Sequence, residues 1–67
     1  MSETWEERLI DEKNELQDKV EKLELFLDSP ACVAIDRKDR DLLLNQLFTM
    51  YHYLHILNQR VDRISTK

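Results

Sequence analysis

The side chains best equipped for chemistry in this chain fall into three groups: Tyr51, His52, Tyr53 and His55; Trp5 and Arg8 with Arg60 and Arg63; and the single Cys32. His52 and His55 stand three positions apart, so on a helix their imidazoles lie on neighbouring parts of one face and have a spacing suited to two metal ligands. A metal site needs a third donor, and no carboxylate or cysteine stands at matching spacing, so neither a metal nor a cofactor is expected. The two imidazoles are expected to hydrogen-bond across a subunit boundary.

A Cys/His nucleophile pair would need both groups within hydrogen-bond reach, but the elements described below put Cys32 at a corner, two or more turns from either histidine. The carboxylates of the first half occupy an exposed face, where no desolvation tunes one into a general acid. The chain has no glycine to build a loop that cradles phosphates. These absences lead to the expectation of a protein that is not an enzyme.

Trp5, Arg8, Arg60 and Arg63 could act together only if the chain folds back on itself. An indole beside several guanidinium groups then suits a planar base carrying phosphates, through stacking and charge-assisted hydrogen bonds. A plainer reading has Trp5 capping a hydrophobic seam and the arginines favoured by the dipole of a last helical turn. Self-association would add Tyr51 and His55 to the candidate ligand-binding residues by gathering them around a pocket.

Composition limits what can position these groups. The 67 residues are 42% apolar and 36% charged, with no glycine and one proline, which is the make-up of helical bundles and not of a tightly turned sheet. One domain spanning 1–67 is expected. A chain of this size buries only about 60% of its unfolded surface, so association with further copies would help it. Positions 1–30 hold ten acids against four bases and positions 31–67 six bases against four acids, so the halves attract. The net charge of −4 disfavours binding to DNA or RNA. One cysteine allows no intrachain disulfide, and neither a signal peptide nor the roughly 18 apolar residues of a membrane span is legible. A cytoplasmic setting is expected.

Thr4 followed by Glu7 forms a capping box that starts a first helix over about 4–28. Trp5, Leu9, Leu16, Val20, Leu23 and Leu27 fall within an arc of about 60° at helical spacing, a narrow seam. Charged pairs such as Glu15 with Lys19 and Asp18 with Lys22 occupy a solvated face. Ser29 and Pro30 stop the helix and suit the N-cap and first position of a short helical corner over 29–36. There Ala31, Cys32, Val33 and Ala34 are expected to plug the bundle end. Asp36 and Asp39 mark the start of a second helix over about 37–64.

In that second helix Leu43, Leu47, Met50, Leu54, Leu57, Val61 and Ile64 recur as a sustained heptad. A short connection suits antiparallel neighbours, with Leu9 opposite Leu57, Leu16 opposite Met50, Val20 opposite Leu47 and Leu23 opposite Leu43. The expected fold is all-α: an antiparallel helical hairpin with a short helical corner, self-associating into a bundle. The hairpin seam leaves Leu44, Phe48, Tyr51 and His55 as a second stripe, and Tyr53 and Ile56 extend apolar surface on the other side. Such a surface is expected to form an oligomer interface.

The segments ERLIDEKNELQDKVEKLELFL and LLLNQLFTMYHYLHILNQRV, joined by a short corner, resemble short phage- and prophage-encoded helical-hairpin accessory proteins, including small proteins of crAss-like phages and early-region proteins of lambdoid phages. The resemblance runs from Glu6 to Val61. It is carried by Glu7, Arg8, Leu9, Lys22, Leu23, Phe26 and Leu27, then by Leu43, Gln46, Leu47, Met50, Tyr53, Leu57 and Arg60. It implies a small accessory protein of an infected or lysogenic bacterium and carries over no catalytic residue. By analogy with unrelated helical oligomers, the expected role is a sponge for a cyclic nucleotide or an ADP-ribose-type immune signal. The alternatives are a binder or inhibitor of a host protein and a structural phage factor.

Overall fold

The computed structural model describes residues 4–65, the side chain of Ser65 excepted. Helix α1 spans Trp5–Leu27, a 3₁₀ corner spans Pro30–Ala34, and helix α2 spans Arg37–Ser65. The two long helices pack against each other as an all-α hairpin. No helix among the described residues is long and apolar enough to cross a membrane.

Each boundary follows from local chemistry. Thr4 has an extended backbone, and its Oγ1 accepts the Glu7 amide at 3.2 Å, satisfying one of the unpaired donors of the first turn. Glu6 and Glu7 place negative charge at the positive end of the helix dipole. At the other end the Asp28 amide donates to the Glu24 carbonyl, and Ser29 donates its hydroxyl to the Phe26 carbonyl at 2.6 Å. Ser29 therefore occupies the expected N-cap position of the corner, but its side chain closes α1. Pro30 has no amide to offer, and the Cys32 amide is already taken by the Ser29 carbonyl at 3.1 Å.

The corner has one plug instead of four. Cys32 is buried, while Ala31 and Ala34 are exposed and Val33 is 75% exposed. A 3₁₀ turn repeats every three residues, so Cys32 and the half-buried Ile35 share its inner face and their neighbours point out. Arg40 in the first turn of α2 reaches back, its Nη2 donating to the Cys32 carbonyl at 3.2 Å. That bond ties the start of α2 to the corner.

Between the helices the heptad is realised as a core. Leu9 and Val20 of α1 and Leu47 and Leu57 of α2 are buried, so both members of two expected layers are inside. Leu16, Leu23, Leu43, Met50, Leu54 and Val61 are half-buried beside them. Leu57 is 0% exposed, and complete burial of such a side chain is favourable by about 1.5–3 kcal/mol. Trp5 departs from the expected seam at 56% exposure. As the first residue of α1 its side chain leans toward the N-terminus, past the point where the seam ends. On the solvated face Asp18 and Lys22 close at 2.9 Å.

Candidate functional site: an aromatic and cationic hollow at the open end

Exposure of Trp5 becomes informative at the end of the hairpin opposite the corner. There the start of α1 lies beside the last turns of α2, and Trp5, Arg60, Arg63 and Ile64 line a hollow of about 320 Å³. The antiparallel fold makes this meeting possible, because the two ends are far apart along the chain. Arg63 also lies in the last turn of α2, where the helix dipole favours a cation. The hollow thus combines one aromatic face, an aliphatic side chain and two guanidinium groups. This set can stack a planar ring and give directed hydrogen bonds to an oxyanion.

A second, larger concavity lies near the corner. Leu25, Leu27, Leu44, Leu47 and Tyr51 form its apolar part, and Glu21, Glu24 and Asp28 its acidic rim; its volume is about 710 Å³. The sign of its charged lining is opposite to that of the hollow. The guanidinium groups of the hollow favour an anion, and the carboxylates of the groove disfavour one.

The candidate ligand residues are therefore distributed between separate places. Trp5, Arg60 and Arg63 share the hollow, joined by Ile64, which the heptad marks only as a seam residue. Tyr51 lines the acidic groove with Leu44, while Arg8 and His55 are exposed on the helices and line neither concavity. Of the surplus apolar residues, Leu44, Phe48, Tyr51, Tyr53 and Ile56 are all exposed in the single chain, as are Ile10, Leu25 and Leu42. His52 is exposed as well. Among the described residues no group of three His, Cys, Asp or Glu side chains is arranged to hold a metal ion.

Two polar contacts between the helices escaped the reading of the sequence. Tyr51 donates its hydroxyl to a Glu24 carboxylate oxygen, and Tyr53 donates to Glu12. The bond to Glu24 raises the Tyr51 pKa, with burial and the nearby negative charge acting in the same direction. The signal for these pairs was present in principle: at 100° per residue Glu12 and Glu24 flank opposite sides of the α1 seam, within reach of a long side chain from α2.

The fold and these surfaces define a small α-helical hairpin protein with a cationic-aromatic hollow at its open end and an acidic-apolar groove near its corner. The chain belongs to the Sequestin family, whose model matches residues 3–63. That name denotes sequestering, a function of binding. Neither a curated protein nor a solved structure matches the chain.

Proposed function

We propose that this protein is a non-enzymatic sponge: an oligomer that holds a nucleotide-derived immune signal in a pocket between subunits, in the cytoplasm of a bacterium carrying a phage or prophage. The observation that carries this reading is the grouping of Trp5 with Arg60 and Arg63 around one hollow. A cyclic nucleotide or an ADP-ribose-type molecule presents a planar base and anionic phosphates, and the indole and guanidinium groups suit those two features respectively. Among the described residues the lining side chains offer no nucleophile or general base beside the arginines, in keeping with capture and not cleavage.

The need for more than one copy comes from size. A hollow of about 320 Å³ stands at the low end of the roughly 300–1,000 Å³ typical of small-molecule sites, and such sites cover most of the ligand's surface. The four described side chains that line it, at the tips of two helices, leave a dinucleotide largely in water. A neighbouring copy would supply the missing wall, and the exposed apolar stripes of α2 supply a reason for copies to associate.

Calorimetric titration of the purified protein with cyclic di- and trinucleotides and ADP-ribose derivatives tests the proposal. Saturable heat is expected with at least one of them. Trp5→Ala and Arg60→Ala should each remove it while circular dichroism shows an unchanged helix content. Absence of heat across the panel would overturn the sponge.

A further inference from the structure

The acidic groove near the corner has an apolar floor, yet among the described residues no cation answers its rim. Glu24 accepts the Tyr51 hydroxyl and Glu21 accepts only a long amide contact from Gln17, and among the described residues no Lys or Arg pairs with Glu21, Glu24 or Asp28. A natural occupant therefore carries an apolar side chain with a positive charge close beside it. Ile10 and Lys13 of this same chain have that combination. Ile10 is exposed, and at 100° per residue it falls with Lys13, Glu21 and Glu24 on one side of the α1 seam.

Their position along the hairpin matters as much as their chemistry. Glu12 bonds Tyr53 and Trp5 lies beside Arg60 to Ile64, so Ile10 and Lys13 belong to the open half of the molecule, while the groove belongs to the corner half. Between them on the same flank stand Phe48, 62% exposed, and Tyr51. A two-fold axis through this middle region would exchange the two halves. It would lay Ile10 of a second copy over Leu25 and Leu44, set its Lys13 against Glu21, and bring Phe48 of each copy toward Tyr51 of the other. Because a two-fold contact is self-complementary, the same lysine-to-acid match is made twice.

We infer that this flank is the surface through which the chain pairs with a second copy, antiparallel, with Ile10 and Lys13 of one copy closing the acidic groove of the other. The inference rests on the oligomeric reading above and specifies one of its contacts. It assigns the Leu44, Phe48 and Tyr51 stripe to pairing, and leaves the Trp5, Arg60 and Arg63 hollow outside this contact, so the wall that closes the hollow comes from a separate contact between copies. An anionic ligand and an acidic rim are then kept apart.

Sedimentation equilibrium on the full chain over a wide concentration range, with four variants, tests this pairing. The wild type should be at least a dimer. Phe48→Arg, at an exposed position away from the seam, should lower the mass roughly twofold or more with helicity retained, whereas Leu42→Arg, equally exposed on the opposite flank, should leave it unchanged. Lys13→Glu should weaken the assembly, and Lys13→Glu combined with Glu21→Lys should restore it.

A wild type that stays monomeric overturns both this inference and the oligomeric sponge. An oligomer indifferent to Phe48→Arg, or one dissociated by Leu42→Arg, overturns this pairing alone, as does failure of the charge swap to rescue. A foreign helix that binds the flank of a monomeric chain would likewise count against it. Loss of mass with Phe48→Arg in a protein giving no heat with any nucleotide would uphold the pairing and sink the sponge.

Discussion

Tyr51 of α2 donates its phenol to the carboxylate of Glu24 on α1, clasping the hairpin on one flank of its seam as the Tyr53 to Glu12 bond does on the other. Only the neutral phenol can donate. Folding therefore favours the protonated tyrosine and lifts its pKa above the ordinary 10.0, through the bond first, then burial and the charge of Glu24. The stabilisation is complete below that ordinary value and is lost as pH rises through the raised one. In an NMR titration Tyr51 should ionise above pH 10.0, and Tyr51→Phe should flatten the alkaline fall in stability that this phenol causes. Ionisation at or below 10.0 would show that the clasp does not hold in solution.

Burial of Leu57 gives a test of the seam. Leu57→Ala removes a side chain with 0% exposure and should cost about 2–5 kcal/mol in urea denaturation, a large part of what a small chain has. Leu42→Ala, at a position 66% exposed, should change stability by no more than about 0.5 kcal/mol. Equal costs at the two sites would mean that α2 is rotated about its axis from the orientation described.

The cap on α1 links stability to the open-end hollow. Thr4→Ala deletes the acceptor for the Glu7 amide and should destabilise the helix by about 0.5–2 kcal/mol. The loss is local, because capping acts on the first turn, and that turn carries Trp5. Hydrogen exchange should quicken at the start of α1 while the Val20 region keeps its protection. Uniform acceleration along the helix would argue against a local role.

Trp5 is the sole tryptophan and stands exposed in the hollow beside Arg60, so it reports directly on occupancy. Binding of a nucleotide there should quench or shift its fluorescence, with the same saturation as the calorimetric signal. Arg60→Ala should remove the change. Because rim contacts to phosphate are screened by salt, affinity should also fall as ionic strength rises. Saturable heat without any response from Trp5 would place the ligand elsewhere.

Cys32 monitors the corner. Its side chain is buried and Arg40 holds its carbonyl, so a thiol reagent should label it slowly in the folded protein and fast in denaturant. Arg40→Ala removes that bond and should speed labelling in the native protein, with α1 unaffected. Rapid labelling of the unaltered chain would show that the corner opens on its own.

Much of the architecture is legible in the sequence. The capping pair Thr4 and Glu7, the stop at Ser29 and Pro30, and the heptad from Leu43 to Ile64 are signals read within one or two helical turns, and each corresponds to an observed boundary or buried face. The site was less legible. Following the seam to its end groups Trp5, Arg60 and Arg63, but Tyr51 stands in another concavity, and Arg8 and His55 line neither.

The amino-acid order by itself determined that there are two long helices, where they begin and stop, and which face of each is apolar, because capping and helical periodicity act between residues a few positions apart. Only the tertiary structure decided that Trp5 leaves the seam, that Cys32 alone among its neighbours plugs the corner, and that Glu12 and Glu24 accept from tyrosines on the other helix. Those outcomes depend on how far α2 is shifted along α1 and rotated about its own axis. Both quantities are set by packing of the whole seam, and no short stretch of the chain carries them.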